Sequence, residues 1–308
     1  MSAKATLERV VDGTLARSPV QAWFRRLTAG RLAILAYHGV DDEERFARQL
    51  DWLVRNTHPL TLDELIAATV TRRRLPQHPV LLTFDDGHRS LLDMGFPLLR
   101  ERGLPGVAFV VAGLVGSQKP LWWAEATARW RPDIRIGGRG FTSADELVRW
   151  LKRVPDDDRR QALAELRPTV TTPPAPAAQL HPHELVQLEA GGVAVGNHSL
   201  THPCLPRCED DRIAHEVEES HRRLTGWLGH EPRSFAYPNG DTDARAVAAV
   251  ARAGYEVGFL FDHRFAPLPA RDPLRMSRLR VSSTTSPDRF RTIVSGIHPA
   301  LHRLRGGS

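Results

Sequence analysis

The chain has 308 residues, long enough to bury a full core as one large domain or as one domain with an insertion. Its 42 Lys+Arg against 36 Asp+Glu give a formal charge of +6, but the basic residues are scattered without a recognition motif, so nucleic acid is not expected as a partner. No apolar run reaches the ~18 residues of a membrane span, and two cysteines are too few for a disulfide scaffold.

Residues 1–30 read as an N-terminal amphipathic helical segment. Leu7, Val10, Val11 and Leu15, then Trp23, Phe24 and Leu27, recur at helical spacing. Residues 1–31 carry Lys4, Arg9, Arg17, Arg25, Arg26 and Arg31 against Glu8 and Asp12, a net of +4. Such a segment either covers the base of the main domain or makes a peripheral contact with an anionic membrane face. It lacks the continuous apolar core of a secretory signal. A cytoplasmic location is therefore expected, with membrane association as an option.

The main domain is expected over residues 31–285. Apolar runs bounded by turn signals predict strands near 32–37, 79–84, 106–112, 192–196, 233–237, 255–261 and 274–281. Between most of them lie amphipathic stretches. Residues 209–228 put Ile213, Val217, Leu224 and Leu228 on one face, with Glu and Arg elsewhere. Residues 242–253 are alanine-rich, with Asp241 or Asp243 as cap and Gly254 at the stop. The alternation predicts an α/β fold, a distorted (β/α) barrel of about seven parallel strands, with an open doubly wound sheet as the alternative.

Residues 113–180 break the rhythm and read as a helical insertion. It holds Trp122-Trp123, a helical stretch near 143–152 and a stiff proline-rich return at 172–176. The tryptophans are either local core or flat faces for sugar rings. Residues 286–308 are expected to form a C-terminal helix and tail.

The polar residues that stand out sit where predicted strands end, the rim on which barrels carry chemistry. His38 follows the first strand, Asp85-Asp86 the second and His198 to His202 the fourth. Pro238, Asn239 and Gly240 follow the fifth, and Arg278 lies in the seventh. Adjacent aspartates repel, an objection that a cation removes. One carboxylate and two imidazoles make a three-ligand divalent site open to water, and the spare carboxylate can act as base, the chemistry of metal-assisted hydrolysis. A crowded Cys2His2 zinc site from His198, His202, Cys204 and Cys208 is the alternative, but it leaves the aspartates unexplained.

Thr83-Phe84-Asp85-Asp86-Gly87 together with His198-Ser199-Leu200-Thr201-His202 resembles the polysaccharide deacetylase (NodB-homology) family, carbohydrate esterase family four. Tyr37-His38-Gly39-Val40 and Phe235 to Gly240 resemble its Tyr-His-x-Val branch. The resemblance runs from about Arg31 to about Val281. It implies an N-deacetylase in which Asp86, His198 and His202 hold one divalent metal, usually zinc, with cobalt, nickel or manganese accepted by the same ligands. It implies Asp85 as general base toward water activated by that metal, and backbone around Tyr237, Pro238 and Asn239 as support for the substrate oxyanion. The partner implied is an N-acetylated glycan or lipid-linked sugar. Other readings are an amidase or deformylase acting on a small non-sugar substrate, and a catalytically silent glycan-binding domain.

Two departures from the family pattern stand out. The arginine of the usual Arg-x-Pro-Tyr motif is Ala236 here and its tyrosine is Asn239. Arg233 comes too early in its strand, and Arg278 is the expected partner that keeps Asp85 ionised. The usual Leu-x-His motif has only a partial echo at His298, so His38 is the favoured catalytic acid, with His88 as another cleft candidate.

Overall fold

A computed structural model of the chain describes residues 3–169 and 178–304, with side chains from Val10 onward apart from Thr169. The proline-rich return at 172–176 lies outside the described residues. The chain opens with helices α1 (Ala3–Arg17) and α2 (Pro19–Thr28), then strand β1 (Ala33–Tyr37), α3 (Glu43–Asn56), β2 (His58–Pro59), α4 (Leu62–Thr71), β3 (Pro79–Phe84), α5 (Phe96–Glu101) and β4 (Gly106–Val110). The insertion follows, with α6 (Trp122–Arg129), a hairpin of β5 (Arg135–Ile136) and β6 (Arg139–Gly140), α7 (Ala144–Leu151) and α8 (Asp156–Leu166). The rest is α9 (Pro182–Ala190), β7 (Val193–Asn197), α10 (Asp210–Leu228), β8 (Ser234–Ala236), α11 (Ala244–Arg252), β9 (Val257–Phe259), β10 (Leu279–Arg280), α12 (Pro287–Ser295) and α13 (Ile297–Leu304).

The main sheet runs β10-β1-β3-β4-β7-β8-β9 with every pairing parallel, and β2 adds beside β3. The sheet curls until its ends meet. Met276, just before β10, bridges to Phe259 of β9, while Leu279 pairs with Leu35 of β1. The approach is close enough that a Cβ on Gly258 would lie 2.4 Å from the Leu274 carbonyl oxygen, so only glycine fits there. This is the expected distorted barrel, closed by one short segment.

Alternation along the strands decides what faces inward. Leu32 and Ile34, Leu81, Val107 and Phe109, Ala236, Val257 and Phe259, and Met276 fill the interior, with Leu62, Leu65 and Ile66 of α4 at its base. The opposite set, including Leu35, Tyr37, Leu82 and Phe84, packs outward against α3, α5 and α9. Strands buried on both faces read as continuous apolar runs, which is why β1 and β3 were legible. Truncating a buried leucine such as Leu35 or Leu82 to alanine is expected to cost about 2–5 kcal/mol.

The last strands are shorter than their apolar runs: β9 covers three residues of 255–261 and β10 two of 274–281. Pro273 starts a 3₁₀ turn over Pro273–Arg275 that interrupts the second run. Helix α10 ends at Gly229 in the left-handed region, and Asp243, not Asp241, caps α11 by accepting from the Ala246 N–H at 2.9 Å. The insertion has a core of its own, with Trp122, Ile136, Leu147, Leu151 and Leu163.

Candidate active site and metal-binding cluster

The inward parity of the strands continues one step past their ends. Positions 34 and 36 lead to His38, 81 and 83 to Asp85, 194 and 196 to His198, and 257 and 259 to Phe261. Positions 276 and 278 lead to Arg280. These side chains therefore converge at one mouth of the barrel, where His38, Asp85, Asp86, His198, His202, Trp123, Lys152, Asn239 and Arg280 line a cleft of about 340 Å³.

Asp86, His198 and His202 each offer a donor atom within 4.8 Å of the others, and all three are buried. His198 Nε2 and His202 Nε2 each lie 3.5 Å from Asp86 Oδ1. His198 Nδ1 donates to the Ala236 carbonyl at 2.7 Å, which leaves Nε2 as the lone-pair nitrogen facing the cluster. Asp86 Oδ1 is buried without a hydrogen-bond donor, a costly state that a cation would relieve. Burial and the neighbouring His198 push His202 down to about 3, which keeps its imidazole neutral. Burial alone would raise Asp86, but the two imidazoles outweigh it and hold the carboxyl well below the usual range. For His198, burial alone would lower the pKa, and the carboxylates of Asp85 and Asp86 raise it instead. Two imidazoles and a carboxylate are a donor set suited to a divalent transition metal, and this group can hold one.

Backbone strain places these groups. Asp86 has φ 70°, His202 φ 57° and Asn239 φ 59°, left-handed conformations that non-glycine residues rarely take. The loop between the histidines is held from outside. Glu216, fully buried on α10, accepts from the N–H groups of Leu200 at 2.9 Å and Thr201 at 2.8 Å and from the Thr201 hydroxyl. Asn197 Oδ1 accepts from the Ser199 N–H, and Ser199 Oγ accepts from the His202 N–H. The apolar pattern of α10 assigns its glutamates to the other face, yet Glu216 sits three or four residues from Ile213 and Ser220 and shares their buried face.

Asp85 is not part of the cluster. Arg278 grips it as a fork, Nη1 to Oδ1 and Nη2 to Oδ2, both at 2.7 Å. Arg278 has no exposed surface; it also donates to Thr83 Oγ1 and the Leu260 carbonyl and lies over the Phe109 ring. Burial alone would raise Asp85, but Arg278, aided by His198, holds it below the usual carboxylate range, as an anion. Ala236, at the position of the family's usual arginine, has no group to do this. The guanidinium arrives instead from the segment that closes the barrel. Arg233 is exposed at the far end of its strand, paired with Asp63 and Glu256.

His38 is half-exposed in the cleft, its Nε2 3.9 Å from Asp86 Oδ2 and its ring edge-on to Phe261. His298, on α13, lies elsewhere, its Nδ1 2.7 Å from His263 Nε2. His88 is exposed and forms a backbone bridge to Gln179 outside the cleft. The tryptophans divide: Trp122 is buried and donates to the His202 carbonyl, while Trp123 lies against the His202 ring at 4.4 Å and faces the cleft. Tyr237 points outward into an apolar cluster with Phe235 and Tyr255. Its N–H donates to the Phe259 carbonyl, Pro238 has none, and those of Gly240 and Asp241 turn back on Tyr237 and Pro238. Asn239 alone in this turn keeps an N–H that these bonds leave uncommitted. Gly240 must be glycine, since a Cβ would meet the Phe261 nitrogen at 2.3 Å.

Cys204 and Cys208 are buried free thiols that burial pushes up to about 11 and about 12. Among the described residues, the Asp86–His198–His202 group is the one whose donor atoms converge, and neither cysteine belongs to it. Sequence reasoning missed Lys152, Phe261 and Arg280 as cleft residues. The inward parity of positions 259 and 278 was the available signal for the last two.

A family model described as polysaccharide deacetylase matches residues 72–258, which include Asp85, Asp86, His198 and His202 but neither His38 nor Arg278. The poly-beta-1,6-N-acetyl-D-glucosamine N-deacetylase of Staphylococcus epidermidis is 22% identical over 272 residues, covering 88% of this chain and 76% of that protein. Among solved structures, the deacetylase PplD of Streptococcus pyogenes, in complex with acetate, aligns with TM-score 0.61 at 18% identity, over 87% of this chain and 99% of that one. IcaB of Ammonifex degensii aligns with TM-score 0.60 at 21% identity, over 88% and 97%. With a family model matching well over half its length and the barrel these relatives share, the chain belongs to the polysaccharide deacetylase family.

Proposed function

We propose that residues 31–285 form a metal-dependent N-deacetylase that hydrolyses acetamido groups on a glycan. One observation carries this reading: a carboxylate kept ionised by a buried guanidinium fork stands beside a buried three-donor cluster in one cleft. A divalent cation held by Asp86, His198 and His202, zinc above all, would when bound supply Lewis acidity to water and to the acetyl carbonyl. Asp85 then accepts the proton of the attacking water, and the Arg278 fork keeps it ionised and oriented for that task. The Asn239 N–H, in its strained turn, is the donor available to the carbonyl oxygen as negative charge develops there. His38 stands on the solvent side of the cleft, suited to return a proton to the sugar nitrogen as the C–N bond breaks and acetate leaves. Trp123 offers a flat face against which a sugar ring can stack.

Relatedness to a curated poly-N-acetylglucosamine deacetylase favours a polymeric N-acetylglucosamine substrate over a small amide. The test is acetate release from N-acetylglucosamine oligomers by the metal-loaded protein, scored against formate and acetate release from small non-sugar amides. Release from the amides alone would replace the glycan reading, and saturable sugar binding with no product would favour a silent binding domain.

The same reading includes peripheral contact with an anionic membrane face. Val20, Trp23 and Leu27 of α2 are exposed, with the exposed Arg26 and Arg31 close by. Co-sedimentation with phosphatidylglycerol vesicles, lost in Trp23→Ser/Leu27→Ser, checks it; pelleting unaffected by the double change would remove it.

A further inference from the structure

Beside the reactive cleft lies a second hollow of about 620 Å³, lined by Arg149, Lys152, Arg153 and Arg207 with Asp241. The two are continuous. Lys152 borders both, Gly240 of the cleft precedes Asp241 of the hollow, and Asn239 Nδ2 donates to Cys204 Sγ across the join at 3.5 Å. Five cations line the combined groove once Arg280 is included, against Asp241 as the one carboxylate outside the Asp85–Asp86 pair.

Several arginines elsewhere on the chain are committed to carboxylates. Arg159 is tied to Asp156, Arg212 to Glu216, and Arg245 to both Asp210 and Asp243. Arg149, Lys152, Arg153 and Arg207 have no carboxylate within 4.0 Å among the described residues. Placement at a helix C-terminus accounts for part of this, since Arg149 lies in the last turn of α7 and Lys152 caps it. It does not account for Arg207, which comes from a separate turn at Leu205–Arg207 and faces the same hollow. Like charges brought together from two segments, with Asp241 as the one carboxylate lining the hollow, raise the local potential and attract an anion.

We propose that this groove binds the flanking units of an anionic N-acetylated glycan, one bearing carboxylate or phosphate groups, with Arg149, Arg153 and Arg207 setting the preference. The inference rests on the deacetylase reading for the identity of the reacting group, and on the groove alone for the charge of its neighbours. With one acetamido sugar in the cleft, the next sugars along the chain lie over Lys152 and meet the three arginines. Exposed charge pairs contribute modestly one by one, so three together are expected to give about a tenfold preference that salt erodes.

The experiment measures binding and turnover separately on three probes: a neutral N-acetylglucosamine hexamer, a hyaluronan hexasaccharide and an oligomer of N-acetylglucosamine 1-phosphate. Binding is read by fluorescence anisotropy in the Asp85→Asn background at about 50 mM and about 500 mM salt; turnover is read as acetate release by the metal-loaded wild type. The expected result is about tenfold tighter binding of at least one anionic probe at low salt, with the margin closing at high salt and in Arg149→Gln/Arg153→Gln/Arg207→Gln. The carboxylate and phosphate arms identify which anion the groove prefers. Equal affinity for neutral and anionic probes, or a margin that survives the triple substitution, would overturn the proposal. Charge-selective binding with no acetate from any probe would leave the groove standing and remove the deacetylase reading instead.

Discussion

Replacing Arg278 by Met tests the arrangement on which the proposed base depends. In the wild type the Asp85 carboxylate receives two charge-assisted hydrogen bonds of 2.7 Å, and neither partner is more than 3% exposed. Removing one partner of a buried pair leaves an uncompensated charge and costs about 3–5 kcal/mol. Much of that cost is avoided if Asp85 takes up a proton, since 3 kcal/mol corresponds to about two pH units. The sign follows from the direction of each shift. In the wild type Asp85 is held below its ordinary value, so its contribution is present above about pH 4 and is lost as pH falls through the depressed value. Without Arg278, burial, the largest influence on the carboxyl, is opposed only by His198 and His38, and its pKa is expected to move above the ordinary value. The stability deficit of Arg278→Met should therefore be small in acid and grow as pH rises through about 4 to 7. Urea unfolding across that range measures it, on Arg278→Met, Asp85→Asn and the double variant. The double variant should lose less than the sum of the singles by about 2–3 kcal/mol, because it removes both charges together. Arg278→Lys keeps the charge without the fork and should recover part of the loss. A pH-independent deficit below about 1 kcal/mol would refute the reasoning, because it would mean that Arg278 does not hold a buried anion.

Asp85→Asn is expected to retain metal stoichiometry while losing at least about a hundredfold in kcat, and His198→Ala to lose both; elemental analysis beside acetate release separates them. Adding zinc to metal-stripped protein should raise its melting temperature, with about 2.7 kcal/mol of stabilisation at a hundredfold excess over Kd, and Asp86→Asn should abolish the shift. Glu216→Gln removes the anion that gathers the Leu200 and Thr201 donors and is expected to weaken metal binding about tenfold or more without touching the donor atoms, as competition with a chelator would show. Cys204 and Cys208, with thiols raised to about 11 and about 12, should resist alkylation at pH 8 in the folded protein and react in urea. Rapid native labelling would mean that the 204–208 turn opens.

The sequence was most informative where a local pattern carries its own physical reason. Apolar runs at Ala33–Tyr37 and Pro79–Phe84 had to be strands buried on both faces, and polar groups at their ends had to lie on one rim. The paired aspartates and the two histidines were legible because adjacent carboxylates and convergent imidazoles are hard to place without a cation. Strand lengths after Gly254 were less legible, since Pro273 and the close passage at Gly258 depend on what lies alongside.

What the sequence determined by itself was therefore the order of strands and helices, the parity that turns His38, Asp85, His198 and Arg278 inward, and the chemical character of the donor set. Only the tertiary structure decided which groups work together. The guanidinium that grips Asp85 comes from a residue 193 positions away, because curling the sheet brings its last segment against its first and third strands. The buried Glu216 that gathers the histidine loop and the unpaired cations beside the cleft are likewise contacts between distant segments. Such contacts follow from closure and packing of the whole chain, and a one-dimensional pattern of residue types carries no record of them.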